Sequence, residues 1–207
     1  MASTALQLFS MLISSFVVVQ MAMAGNPDIL SDFELPPNVT NLDGSFFTFT
    51  GLRALVGNPV PSAFKASKIS MAEFPALNGQ SVSYAVLQFP AGTINPPHYN
   101  SRATGLLFLL QGTLQVGFID TTNKLFTQTL QAGDMFIFPR ALVHYQYNPD
   151  PQKPALAIAA FGSASAGTVT LTNNLFTSGI DDNILALSFK TDVATIKALK
   201  DGLAPKP

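Results

Sequence analysis

The feature that most constrains the fold is a succession of short apolar or alternating runs between residues 63 and 161, separated by turn-forming residues. No helical pattern of about 10 to 15 residues stands between these runs, which favours an antiparallel sandwich or barrel over a parallel α/β sheet. The segment Thr113–Phe118 alternates cleanly, so one face of that strand is expected to be wet or to face a lumen. The predicted strands are Ser81–Phe89, Gly105–Leu110, Thr113–Ile119, Lys124–Leu130, Met135–Phe138 and Ala155–Phe161.

This β-rich body is predicted to span residues 63–176 and to follow an extended arm over residues 25–62. The arm is rich in proline and has few periodic runs, although Phe46–Phe49 is a candidate strand after the turn signal Asp43-Gly44.

The tail, residues 177–207, changes to a helical period. Asp181-Asp182 and Asp192 are candidate N-caps for two short amphipathic helices, and Gly202 and Pro205 are expected to end the second. Such short helices are not stable alone, so they must dock on the barrel or on a neighbouring subunit.

The first 24 residues have the pattern of a secretory signal peptide. Met1–Ala24 has no Lys, Arg, Asp or Glu, is largely apolar, and ends in the A-x-A sequence Ala22-Met23-Ala24. The alternative is a membrane anchor, but serines and Gln20 interrupt the apolar run and no charged flank follows it. No later stretch approaches the roughly 18 apolar residues of a membrane span. We therefore expect cleavage before Gly25 and an exported protein without a membrane partner.

Charge and cysteine content exclude two classes of function. The chain has 11 Lys+Arg against 12 Asp+Glu, so it lacks the basic excess that nucleic-acid binding requires. It has no cysteine, which excludes disulfides, a thiolate nucleophile and thiolate metal ligands. The sequon Asn38-Val39-Thr40 follows two prolines and is predicted to be glycosylated in an exported protein.

The candidate site chemistry is concentrated around the two histidines of the chain, His98 and His144, each in a turn-rich stretch between apolar runs. The stretch around His98 contains Asn95-Pro96-Pro97-His98, Asn100 and Arg102-Ala103-Thr104, with Gly112 beyond it, and the stretch around His144 begins Ala132-Gly-Asp-Met-Phe-Ile-Phe-Pro and ends at Asn148. These stretches resemble the two cupin motifs, G-x5-H-x-H-x4-E-x6-G and G-x5-P-x-G-x2-H-x3-N. Their amino-acid sequences are similar to those of the plant germins and germin-like proteins, and the resemblance extends over nearly the whole chain after Ala24.

The resemblance implies an all-β fold, a cupin jelly-roll barrel with an N-terminal arm and short C-terminal helices. It also implies a homohexamer built as a trimer of dimers, in which the C-terminal helices clasp neighbours, and export to the apoplast. The family's manganese site uses three histidines and one glutamate, and some members oxidise oxalate or dismutate superoxide. An N3O ligand set of this kind leaves positions open for water or substrate.

This sequence departs from the family pattern at the ligands. The matching positions are His98, Asn100, Gly105 and His144, so one imidazole is replaced by an amide and the carboxylate is lost. We therefore expect a remnant site of His98 and His144, with Asn100 as a weak ligand, no catalytic residue, and manganese bound weakly or not at all. The motif glycine is also replaced, by Ala141.

Two functional hypotheses follow. The first is a secreted, non-enzymatic, oligomeric cupin of the cell wall or of plant defence, whose partners include wall components. The alternative is a manganese-dependent oxidase or superoxide dismutase with a reduced ligand set, or an enzyme using another divalent ion held by His98, His144 and water. A third idea, a small-molecule binder, rests on fold analogy alone.

Overall fold

The chain forms two five-stranded antiparallel sheets in a computed structural model that describes residues 29, 31–37, 39 and 42–203. One sheet has the strand order β1-β2-β9-β4-β7 and the other β10-β3-β8-β5-β6. The strands are β1 (Lys65–Ile69), β2 (Ser83–Phe89), β3 (Ile94–Asn100), β4 (Gly105–Gln111), β5 (Thr113–Ile119), β6 (Leu125–Gln131), β7 (Met135–Phe138), β8 (His144–Tyr147), β9 (Ala155–Phe161) and β10 (Thr168–Thr170). The order, with neighbours distant in sequence, is that of a jelly roll, and the all-β prediction is confirmed.

The core lies between the two sheets. Alternate residues of each strand point inward, so β2 buries every second side chain from Ser83 to Phe89. The largest fully buried apolar side chains of the barrel are Phe89, Leu107, Leu109, Leu114 and Val116. This inward face carries both the core and, towards one end of the barrel, the candidate site.

The structure corrects the sequence prediction in the arm and at several strands. The segment Phe46–Phe49 is not a strand: Phe46 and Phe47 lie in turns, because the Asp43 carboxylate accepts hydrogen bonds from the backbone N–H and hydroxyl of Ser45. A 3-10 helix follows at Gly51–Leu55, and a second one lies at Pro75–Leu77. Four strands of the barrel, β1, β3, β8 and β10, were not predicted from the sequence.

Three helices follow the barrel: α1 (Leu171–Phe176), α2 (Asp182–Phe189) and α3 (Val193–Leu203). The two predicted caps are confirmed, because Asp181 accepts from the backbone N–H of Asn183 at 2.9 Å and Asp192 from that of Thr195 at 2.7 Å. Helix α1 was not predicted. Gly202 lies inside α3, which is described as far as Leu203, and Pro205 lies outside the described residues.

The helices form a small core of their own around Leu185, Ala186 and Ile196. A salt bridge of 2.6 Å between Lys200 and Asp182 joins α3 to α2. None of the helices found in the described ranges has the length and hydropathy needed to cross a bilayer.

Candidate functional site

The two histidines lie side by side on neighbouring strands, and not in turns as the sequence indicated. His98 of β3 is paired in register with His144, the first residue of β8, and both side chains are buried. The centroids of the two imidazole rings are 4.2 Å apart. The register of the β3–β8 pair shifts between Asn95 and His98, where two prolines remove ladder donors and the strand deforms without ending. The fold thus brings the two predicted ligands into one cluster.

Hydrogen bonds set the tautomer of both rings. Nδ1 of His98 donates to the carbonyl of Pro96 at 2.7 Å, and Nδ1 of His144 donates to the carbonyl of Leu142 at 2.8 Å. Because a carbonyl only accepts, Nδ1 carries the proton and Nε2 of each neutral ring keeps its lone pair. Each ring is therefore fixed as an acceptor at Nε2.

Burial keeps both imidazoles neutral. Desolvation and, to a smaller extent, the neighbouring His98 lower the pKa of His144 from 6.5 to about 4, against the opposing effect of the hydrogen bond to Leu142. Desolvation also lowers the pKa of His98, assisted by the charge of Lys68 and opposed by the hydrogen bond to Pro96. The pair carries no charge at neutral pH.

Asn100 lies beside the histidines, but its carbonyl oxygen is already engaged. Its Oδ1 accepts a hydrogen bond of 2.8 Å from the hydroxyl of Thr168 on β10. Its amide nitrogen Nδ2 lies 3.5 Å from Nε2 of His144. In this arrangement Asn100 offers His144 a donor and directs no free oxygen towards the histidine pair.

Gly105 opens β4 on the opposite sheet and faces the same cluster. A Cβ atom built on Gly105 would lie 3.4 Å from a ring carbon of Phe161 and 3.7 Å from Nδ2 of Asn100. These are ordinary van der Waals separations, so a side chain at this position would enter the space beside Asn100. The glycine leaves that space open.

The histidine cluster forms the polar part of a cavity of about 140 Å³ between the two sheets. The opposite wall is apolar and includes Leu87, Leu107, Phe138 and Phe161. Phe138 stacks on the ring of His144, with centroids 4.4 Å apart. The exposed Lys68 of β1 also lines the cavity, so a basic side chain lies where the cavity reaches solvent.

Several residues of this site were missed by the sequence analysis. Asn95 donates a 2.6 Å hydrogen bond to Gln146 and lies 3.5 Å from Nε2 of His98. The alternation of His144 and Gln146 in one polar strand was the available signal for Gln146. For Thr168, the available signal was the run of β-branched residues in Thr168–Thr170, which is typical of a strand.

Asn148, the last residue of the stretch around His144, closes a loop. It is fully buried, and its amide nitrogen donates to the carbonyls of Phe89, Pro90 and Lys153. It does not line the cavity.

Comparison with known proteins identifies the class of the barrel and then its family. The sequence model of the family described as Cupin matches residues 59–197, so the jelly roll is a cupin barrel. The chain is similar to germin-like protein 9-3 of Oryza sativa subsp. japonica, with 54% identity over 99% of this chain and 98% of the relative. It is also 49% identical to germin-like protein 9-1 of the same organism, over 91% of this chain and 77% of the relative. The chain belongs to the germin-like proteins of the cupin family.

A solved structure of an oxalate oxidase has a similar fold. It superposes with a TM-score of 0.75 and 29% identity, and the match covers 87% of this chain and 98% of the oxidase.

The donor set does not fit the family's manganese site of three histidines and one glutamate. The cavity presents two imidazole nitrogens and no carboxylate among its lining residues. In the described ranges, no group of three or more His, Cys, Asp or Glu side chains could hold a metal ion. Mn²⁺ is a hard cation that favours carboxylate and water oxygens, and here the anionic ligand position is Gly105. The residues of this cavity therefore do not fit manganese.

Proposed function

We propose that the protein is a secreted germin-like cupin without oxalate oxidase activity, which acts in plant defence or in the cell wall by binding. One observation carries this proposal: the barrel cavity holds two neutral imidazoles and lacks the carboxylate of the family's manganese site. The amide that replaces the third imidazole has its oxygen engaged by Thr168. The carboxylate and the third imidazole are lost from the same site, so the two losses together lower both the negative charge and the number of ligands available to a metal ion.

Export, glycosylation and assembly belong to the same proposal. The apolar segment Met1–Ala24 and the sequon at Asn38 support a cleaved, glycosylated apoplastic protein, and both lie outside the described residues. We also propose a division into signal peptide (1–24), arm (25–62), barrel (63–176) and helical tail (177–207).

A homohexamer is supported by family resemblance and by apolar side chains on the outer face of the first sheet. Leu106, Met135 and Ile137 are exposed there, in a chain with only 11% charged residues. Light scattering of the mature protein at micromolar concentration checks this proposal, and a monomer mass would contradict it.

The first experiment is elemental analysis of the exported, dialysed protein, with oxalate oxidase and superoxide dismutase assays on the same sample. We expect manganese far below one ion per chain and neither activity. Manganese near one per chain, retained through dialysis, would overturn the proposal whatever the assays show.

Rebuilding the ligand set gives a positive control. The double variant Asn100→His, Gly105→Glu supplies the third imidazole and the carboxylate, and a Cβ at Gly105 has room. We expect this variant to retain manganese through dialysis. The matched control is Asn100→His, Gly105→Gln, which has nearly the same shape but no charge and is expected to bind far more weakly. Equal, negligible manganese in both variants would mean that the barrel has diverged beyond its ligands.

One observation favours the alternative of an enzyme with a reduced ligand set. The two Nε2 atoms keep their lone pairs in one cavity, and such nitrogens suit Cu²⁺ or Zn²⁺ better than Mn²⁺. The same elemental analysis tests it: copper or zinc near one per chain, together with dismutase or oxidase activity lost in His144→Asn, would establish the enzyme.

A further inference from the structure

We propose that the barrel cavity binds a small aromatic carboxylate that carries a hydroxyl group, with the hydroxyl at the histidine pair and the carboxylate at Lys68. This inference rests on the proposed function, because it requires the cavity to be free of manganese. The proposed ligand is an organic molecule held directly by side chains of the barrel, with no metal ion between ligand and protein.

The size of the cavity matches a single ring. Its volume is about 140 Å³. An engineered apolar cavity of about 150 Å³ is large enough to bind benzene. A fused two-ring molecule would exceed this space, so the ligand class is limited to one six-membered ring with small substituents.

The walls of the cavity suit an aromatic face. Phe138 and Phe161 lie on the sheet opposite the histidines, together with Leu87 and Leu107. Gly105 adds room next to Phe161, since no side chain occupies the position from which a Cβ would contact that ring. Burying a ring against these side chains removes apolar surface from water on both sides.

The histidine end of the cavity calls for a hydrogen-bond donor. Nε2 of His98 and Nε2 of His144 are acceptors, and each has an amide nitrogen at 3.5 Å, the far limit of a hydrogen bond. A buried acceptor that is poorly satisfied gains from a better-placed donor. A phenolic hydroxyl supplies such a donor, whereas a carboxylate would place negative charge against two lone pairs.

The solvent end of the cavity calls for an anion. Lys68 lines both the cavity and an adjoining surface pocket, and it forms no salt bridge in the described part of the chain, where the one ion pair joins Lys200 to Asp182. Arg102 lines the adjoining pocket and is held there by hydrogen bonds to the backbone carbonyl and hydroxyl of Ser165. Glu73 lines it as well: its carboxylate accepts from the backbone N–H and hydroxyl of Ser70, which lower its pKa most, and the charge of Lys68 lowers that pKa further. Glu73 therefore offsets part of the positive charge of Lys68 without forming a salt bridge to it.

This arrangement disfavours a dicarboxylate as small as oxalate. One of its carboxylates could pair with Lys68, but the other would face the acceptor nitrogens of two neutral imidazoles. The cavity therefore favours a ligand with an anionic group at one end and a hydrogen-bond donor at the other.

The test is isothermal titration calorimetry of the full mature protein in EDTA, with 4-hydroxybenzoate as the probe. We expect saturable binding at one site per chain. Benzoate, which lacks the hydroxyl, and phenol, which lacks the carboxylate, are each expected to bind about tenfold more weakly. Oxalate is expected to show no binding. Equal affinities for 4-hydroxybenzoate and benzoate would overturn the assigned role of the histidines.

Two variants locate the site. Lys68→Met removes the charge at the cavity and is expected to weaken 4-hydroxybenzoate binding about tenfold, whereas Lys65→Met, on the same strand but outside the cavity lining, is the matched control. Gly105→Leu fills the space beside Phe161 and is expected to abolish binding. Circular dichroism of each variant verifies that it folds, and binding unchanged in a folded Gly105→Leu protein would refute the site.

Failure of this inference and failure of the proposed function give different results. A metal-free, inactive protein that does not bind the probe would refute the aromatic ligand and leave the non-enzymatic proposal intact. A protein with stoichiometric manganese would refute both, irrespective of the calorimetry.

Discussion

Acidification from pH 7.5 to pH 4.5 is expected to destabilise the protein through its two buried histidines. The pKa of His144 falls from 6.5 in a solvated chain to about 4 in the fold. The unfolded chain therefore binds the proton more tightly, and the free energy of unfolding decreases as the pH falls from 6.5 towards 4. Above pH 6.5 this contribution is fully present, and below pH 4 its loss is complete.

The size of the effect follows from the two pKa values. A lowering from 6.5 to about 4 corresponds in full to about 3 kcal/mol, most of which is lost by pH 4.5. His98 acts in the same direction, because burial lowers its pKa as well. The described carboxylates with resolved shifts have pKa values lowered below their ordinary ones, so they titrate mainly below this window.

The assay is urea unfolding followed by circular dichroism at several pH values, in EDTA and at fixed protein concentration, since binding and assembly also change apparent stability. Proton NMR gives a direct control, because the chain has only two histidines to assign. His144 is expected to remain neutral at pH 5. A free energy of unfolding that is constant from pH 7.5 to 4.5, or a histidine pair that titrates near 6.5 in the fold, would refute the reasoning.

Three further predictions concern stability and are measured by the same urea unfolding at pH 7.5. Asn148→Ala is expected to lower the free energy of unfolding by about 2 to 3 kcal/mol, because three backbone carbonyls lose their shared donor, and a loss under 0.5 kcal/mol would contradict that role. Asp181→Ala removes the N-cap of α2 and should cost about 1 kcal/mol, whereas an unchanged midpoint would mean that the cap is dispensable. Gly112→Ala should lower the free energy of unfolding by about 2 kcal/mol more than Gly57→Ala. Both glycines have positive φ, but only at Gly112 would the new Cβ lie 2.7 Å from a backbone oxygen. Equal losses in the two variants would exclude a steric contribution at Gly112.

The sequence predicted best those strands whose pattern is local. β5, β7 and β9 have the predicted bounds, because each is an uninterrupted apolar or alternating run between turn residues. β3 was missed because Pro96 and Pro97 interrupt it, and a proline inside a run normally argues against a strand. The barrel accommodates them at a register shift, which no single-sequence pattern reveals.

The candidate site was predictable only in part, for a related reason. The motif resemblance selected His98, His144, Asn100 and Gly105, and the structure places them in or around one cavity. The engagement of Asn100 depends on Thr168, which is far away in the chain and lies on a three-residue strand. The contribution of Lys68 depends on the pairing of β1 with β2 at the edge of the sheet, and local sequence carries no signal for that pairing.

The register of the strands has a consequence for the order of events during synthesis. β2 and β3 pair with β9 and β8, so the cavity needs segments that emerge from the ribosome long after His98. Pairings of such long range close slowly, because loop entropy must be overcome before contacts form. A nascent chain that has not yet reached Thr170 lacks the part of the pocket lining that Thr168 and Thr170 supply, so the pocket is complete only when the last strand is made.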